Sequence, residues 1–195
     1  MTGDLSRLLN ALGLVLVNIV LLAALFDQFW FGDLPCPLCT LQRAALVGVG
    51  FGLALNVIFG PRPSHYAVMI LSAAAGAAIA IRQTLLHIVP GTGSFGNVVF
   101  GLHLYSWAFI IFALVIIGGA VMLFSDRQFV QTGPLSVRLK PVPLVNFLVF
   151  VTIAVVLAVS TLALCGMGFC PDAPTSYRIF GAPSAPPVPA PAPQP

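Results

Sequence analysis

The chain contains no glutamate. Its five acidic residues are all aspartate, and charged side chains make up only 7% of its 195 residues, against roughly 25% in an ordinary soluble domain. Without glutamate, paired-glutamate acid–base chemistry and metal sites built on carboxylate clusters are not expected. Basic residues are equally thin. Eight Lys and Arg leave a formal net charge of +3, scattered rather than clustered, so nucleic acid is not an expected partner. With 59% of residues hydrophobic, the solvent for most of the chain is lipid.

A membrane-spanning helix needs about 20 mostly apolar residues. Five segments qualify, at 8–27, 37–59, 66–89, 102–124 and 143–165. The breakers fall between them: Gly60-Pro61-Arg62-Pro63-Ser64, then Pro90-Gly91-Thr92-Gly93, then Pro141 and Pro143. The expected fold class is therefore all-α, a polytopic transmembrane helical bundle. The first segment is longer than a signal-peptide core, and no small-x-small cleavage site precedes Asp27, so it reads as an uncleaved helix. Small residues are dense in the third helix (Ala73, Ala74, Ala75, Gly76, Ala77, Ala78). They suit close helix–helix approach in lipid, and serve equally well as apolar filler.

Five spans place Arg7, Arg62, Arg127, Arg138 and Lys140 on one side, which the bias of basic residues toward the cytoplasm makes the inside. The N-terminus is then cytoplasmic and the C-terminus lies across the membrane. All four cysteines, Cys36, Cys39, Cys165 and Cys170, fall on the outer side, where an oxidising compartment permits disulfides. Residues 182–195, almost wholly proline, alanine and serine, read as a disordered tail.

The chemistry concentrates in Cys36-Pro37-Leu38-Cys39-Thr40-Leu41-Gln42-Arg43, at the mouth of the second helix. Unpaired backbone N–H groups and the helix dipole favour thiolate there. Cys36, Cys39 and Arg43 recur at i, i+3 and i+7, so they are expected on one helix face. Arg43 lies about 10 Å below the mouth at 1.5 Å per residue, and an arginine at that depth is usually functional or snorkels to the headgroups. Arg82 has the same two readings. His87 and His103 stand near the outer interface, where they could meet a ligand carbonyl or simply the headgroups. Trp30, Tyr105 and Trp107 read first as interfacial aromatics. The cysteine pairs themselves admit a structural disulfide or a zinc–thiolate site.

The aromatic cluster Phe29-Trp30-Phe31, then Pro35-Cys36-Pro37-Leu38-Cys39 and Gln42-Arg43 at the start of the second helix, resembles the DsbB family of disulfide bond formation proteins. Arg82 through Pro90 and Gly101 through Trp107 add to the likeness, which covers residues 8–124. The resemblance implies a four-helix core at 1–124; the apolar runs add a cytoplasmic loop at 125–142, a fifth helix at 143–165 and a periplasmic segment at 166–181 that carries the second cysteine pair. The resemblance also implies a multi-pass protein of the bacterial inner membrane that reoxidises a periplasmic DsbA-like thiol oxidase. The electrons would pass to a membrane quinone, ubiquinone or menaquinone. Cys36 and Cys39 would be the pair next to the quinone, Cys39 meeting the ring and Arg43 helping to hold it; Arg82 and His87, by their place near the outer interface, are further candidate quinone-binding residues.

One departure stands out. The family usually carries its second cysteine pair between helices three and four, but Pro90 to Gly101 has none. Cys165-Gly166-Met167-Gly168-Phe169-Cys170 follows the additional fifth helix instead. Its catalytic role is inferred from topology, with a structural disulfide as the competitor, and Gly166 and Gly168 are expected to let the ring close. The other reading of the whole chain is a non-enzymatic membrane protein with stapled or zinc-bound loops.

The topology is directly testable in intact cells. After reduction, a membrane-impermeant maleimide should label Cys170, whereas a Ser136→Cys probe should stay unlabelled until the cells are broken. Labelling of that probe from outside would overturn the five-span arrangement.

Overall fold

The computed structural model describes residues 3–88, 98–129, 141–172 and 174–179. Five long helices carry the chain: α1 (Gly3–Trp30), α2 (Pro37–Phe59), α3 (Pro63–Leu86), α4 (Leu104–Leu123) and α5 (Pro141–Cys165). Each has the length and hydropathy to cross a membrane, so the protein is an all-α polytopic bundle, as its apolar runs imply. The tail at 182–195 and the loop residues 130–140 lie outside the described residues.

The boundaries differ from the apolar runs where polar or turn-forming residues intervene. α1 begins at Gly3, with Asp4 in the first turn, where a negative charge complements the helix dipole. α4 opens at Leu104 because the residues before it form a hairpin, β1 (Val98–Val99) paired antiparallel with β2 (Leu102–His103). Its two turn residues, Phe100 (φ 50°) and Gly101 (φ 79°), are both left-handed, as a two-residue hairpin turn requires. Trp107, read as an interfacial aromatic, donates its indole N–H to Val99 O at 2.9 Å and ties this hairpin to α4.

α3 packs between α2 and α4, α1 lies against α2, and α5 sits against both α1 and α2. Small residues set these distances. A Cβ on Gly52 would stand 2.9 Å from the His65 carbonyl oxygen and 2.8 Å from Met69 Cβ, and one on Gly48 would stand 2.5 Å from Ser72 Oγ. The Phe112 ring of α4 occupies the notch at Gly76, and the Phe150 ring of α5 occupies the notch at Gly50. In α3, Ala73, Ala77 and Ala80 are buried, whereas Ala74, Ala75 and Ala78 are exposed. Both readings of that alanine run are therefore right, each for one face.

Polar side chains lock the assembly at the end opposite the cysteines. Ser6 donates to Gln128 Oε1 at 2.6 Å, and Asn10 donates to the Tyr66 hydroxyl at 2.8 Å. Asn56 donates to Asn10 Oδ1 at 3.0 Å, and its own oxygen accepts from the Arg62 backbone N–H and from His65 Nδ1. Asn18 and Asn146 join α1 to α5 at 2.9 Å, and Asn146 also donates to Ala11 O. Arg7 lies against Gly60, and Arg127 stands in the short 3-10 turn (Asp126–Phe129) beside Gln128. With Arg62 at the α2–α3 turn, three of the five basic residues assigned to one side therefore do share an end; Arg138 and Lys140 lie outside the described residues.

Gly52 gives a sharp packing test, because the atom it faces is backbone and cannot rotate away. Gly52→Ala should destabilise the bundle by about 1–3 kcal/mol, the usual range for overpacking. Gly118, with nothing within 4 Å of its would-be Cβ, should accept alanine without loss. Thermal midpoints in detergent would check the pair.

Candidate functional site: two disulfides at one end of the bundle

The first pair is built by a helix start. Cys36 is the N-cap of α2, in extended conformation, and Pro37 opens the helix, where its missing N–H is no loss. The Cys39 backbone N–H donates to Cys36 Sγ at 3.1 Å, and Thr40 donates to Cys36 O from both its backbone N–H and its hydroxyl. Sulfur thus takes the place that a cap oxygen normally fills. The geometry holds the two Cα atoms 5.0 Å apart in a disulfide. Cys36 is buried and Cys39 half-buried.

Beneath this disulfide is a residue the sequence reading passed over. Gln83 of α3 is fully buried, and its Nε2 lies 3.4 Å from Cys36 Sγ and 3.4 Å from Cys39 Sγ. Its Oε1 accepts from Gln42 Nε2 at 2.7 Å. The expected common face of Cys36, Cys39 and Arg43 is therefore split. At about 100° per residue, Gln42 and Arg43 lie on either side of the line through Cys39. Gln42 turns toward α3 with the cysteines, and Arg43 turns toward α1.

There Arg43 donates to Gln28 Oε1 at 2.5 Å and to Ala24 O at 3.0 Å. Gln28, also buried, passes the connection on: its amide N–H groups reach Ser160 Oγ of α5 at 2.7 Å and the Tyr177 hydroxyl at 2.9 Å. A cavity of about 450 Å³ lies beside this junction, lined by Gln28, Phe29, Gly32, Leu34, Thr175, Ser176 and Tyr177. The segment that follows the second cysteine pair thus closes over the mouth between α1 and α2.

The second pair is built by a helix end. Cys165 is the last residue of α5, and Gly166 follows with φ 65° and donates to Leu162 O at 2.8 Å. This left-handed C-terminal turn needs glycine. Gly168 is not left-handed, so of the two glycines only Gly166 carries the turn. Cys165 and Cys170 form a disulfide with Cα atoms 4.4 Å apart. The ring between them presents Met167 and Phe169 with essentially full exposure. Arg178 clamps the ring from outside, donating to Cys165 O at 3.3 Å and Phe169 O at 3.0 Å. All four cysteines stand at one end of the bundle, as the topology predicts.

The remaining expected residues divide. Arg82 is exposed on α3, while its neighbour Gln83 is the side chain that meets the cysteines. His87 caps the end of α3 with Nδ1 2.8 Å from Gln83 O, and its ring lies 5.6 Å from that of Tyr105. His103 stacks on Tyr105 at 5.1 Å. Tyr105, read as an interfacial aromatic, is buried instead, because the two imidazoles cover it. Trp30 fits its reading, exposed and stacked on Phe26. The missed residues Gln28, Gln42 and Gln83 share one signal: an uncharged amide inside an apolar span must find a partner within the protein.

A multi-pass helical bundle with a disulfide across a helix N-terminus, and a second disulfide at the same end, defines a membrane protein of thiol–disulfide type. Comparison with known proteins narrows the class. The family model described as "Disulfide bond formation protein DsbB" matches residues 6–94. A protein of Stutzerimonas stutzeri named "Disulfide bond formation protein B" is 42% identical over 71 residues, 34% of this chain and 44% of that protein. Those of Marinobacter nauticus and Burkholderia thailandensis, named alike, are each 30% identical, over 152 and 161 residues. These two matches cover 58% and 62% of this chain and 90% of each relative. The match thus spans less than half of the first relative's length and nine tenths of the other two. No solved structure matches. The chain belongs to the DsbB family of disulfide bond formation proteins.

The Gln28 junction predicts a protease phenotype. Gln28→Leu removes an Arg43 acceptor and the anchors of Ser160 and Tyr177, at about 1–3 kcal/mol for the polar groups left unpaired. Trypsin should then cut after Arg178 faster than in the parent, as read by mass spectrometry of the released C-terminal peptide.

Proposed function

We propose that the protein is a membrane disulfide-generating oxidoreductase. It reoxidises a periplasmic thioredoxin-like thiol oxidase and delivers the electrons to a membrane quinone, ubiquinone or menaquinone. It lies in the bacterial inner membrane with its N-terminus in the cytoplasm and its C-terminus in the periplasm. The observation that carries the reading is that both disulfides stand at one end of the bundle, where Arg43 of α2 and Gln28 of α1 tie down Tyr177 of the segment beyond the second pair.

In this reading a thiolate of the partner attacks the Cys165–Cys170 disulfide. Cys170 is the more accessible sulfur, Cys165 being buried, so the new bond forms to Cys170 and Cys165 leaves as thiolate. The partner's second thiol then displaces Cys170 and carries away a disulfide, leaving two reduced cysteines. The exposed Met167 and Phe169 supply apolar contact for the partner. The reduced pair next attacks Cys36–Cys39 in the same manner. Helix ends favour that direction, since the α2 N-terminus stabilises thiolate and the α5 C-terminus disfavours it, each by about 0.3–1 kcal/mol.

The residues at the Gln28 junction suit a quinone. Phe29, Leu34 and Tyr177 wall a cavity of about 450 Å³, within the size range of small-molecule pockets. Cationic Arg43 and the phenol of Tyr177 are donors of the kind that hold a carbonyl oxygen. His87, near the same end, is a further candidate, and exposed Arg82 is left to the headgroups. A bound quinone would accept two electrons and two protons.

The Arg178 clamp favours a second reading, in which Cys165–Cys170 is only a staple. Replacing both by serine separates the two. Oxidation of the partner should stop, while quinone-dependent oxidation of a small dithiol by Cys36–Cys39 should continue. Undiminished partner oxidation would leave the second pair a structural disulfide.

A further inference from the structure

The Gln42–Gln83 pair is the most specific polar arrangement near the cysteines, and the scheme above gives it no task. A disulfide sulfur is a weak acceptor. A fully buried primary amide set 3.4 Å from both sulfurs of a disulfide therefore gains little in the oxidised protein. A thiolate is a charged acceptor, and hydrogen bonds to charged groups are roughly twice as strong as neutral ones. Because Gln42 occupies Gln83 Oε1, the amide cannot turn its oxygen to the sulfurs without giving up that bond. Its two N–H groups are what remain for them.

We infer that Gln83 is a catalytic residue that stabilises the thiolate formed when Cys36–Cys39 opens, and that Gln42 is the positioning residue that keeps its amide oriented. This rests on the reading that the pair is cycled between disulfide and dithiol. When an incoming thiolate bonds to one sulfur, the Cys36–Cys39 bond breaks and its electron pair goes to the other sulfur. That sulfur leaves as thiolate with a Gln83 N–H already beside it. Equal distances mean that the same amide serves either cysteine, so the donor needs no rearrangement as charge passes from one to the other.

The test uses the full-length protein in detergent, equilibrated with mixtures of reduced and oxidised dithiothreitol across a range of pH. Free thiols are alkylated, and each pair is read separately by peptide mass spectrometry. Dithiothreitol supplies the two electrons and closes to its cyclic disulfide, so neither quinone nor partner protein enters. Failure of the proposed electron route would therefore leave this result untouched. In Gln83→Leu the Cys36–Cys39 equilibrium should move toward disulfide by roughly 10- to 200-fold at alkaline pH, the value of one charge-assisted hydrogen bond. The gap should close at acid pH, where both sulfurs are protonated. The Cys165–Cys170 equilibrium in the same molecules should not move.

Gln42→Glu conserves volume and guards against a packing artefact. An ionised carboxylate cannot donate to Gln83 Oε1, so the amide turns its N–H groups to Glu and its oxygen to the sulfurs. This shifts the Cys36–Cys39 equilibrium in the same direction. A Gln83→Leu equilibrium indistinguishable from the parent's at alkaline pH would overturn the assignment. So would a shift of equal size at every pH, or one shared by both pairs.

Discussion

Lipid offers helices no reward for burying leucine against leucine, since the acyl chains are just as apolar, so association depends on close packing and on polar groups that must find each other. Nearly every specific contact in this bundle answers to that constraint. Notches at Gly48, Gly50, Gly52 and Gly76 receive Ser72, Phe150, Met69 and Phe112, and set how near the helices come. Buried amides then fix register and neighbour choice. Asn18 with Asn146 decides where α5 docks, and Gln42 with Gln83 aligns α2 with α3 at the level of the cysteines.

The polar side chains gather at two levels with different consequences. Opposite the cysteines, Ser6, Asn10, Asn56, Tyr66 and Gln128 form a closed set of hydrogen bonds, which holds three helices and a turn together. At the cysteine end the set is open. Arg43 reaches Gln28, and Gln28 reaches the end of α5 and the segment beyond the second disulfide. One end is thus closed on itself, and the other extends to the segment beyond the second disulfide. That division suits a protein whose chemistry is confined to one membrane face, because local change there need not disturb the helix packing below.

Helix termini supply the chemical asymmetry. The pair at Cys36 and Cys39 caps the positive end of α2, while Cys165 closes the negative end of α5. The added fifth helix matters for this reason. It returns a second pair to the side of the first by topology alone, although the connection between α3 and α4 has no cysteine and, among the described residues, holds a hairpin.

Much of this was legible in the residues taken alone. Five apolar runs sufficed for five helices, because span length and hydropathy are local properties. The four cysteines fell on one side because four crossings, an even number, separate the two pairs. The place of Cys36 and Cys39 at the mouth of α2, and the end of the fifth run at Cys165, followed from neighbours a few positions away. Contacts between helices were not legible. That Arg43 faces α1 and Gln83 faces the sulfurs depends on the rotation of each helix about its own axis. Among nearly uniform apolar residues the sequence carries little record of that angle, and the packing of glycine notches and buried amides decided it.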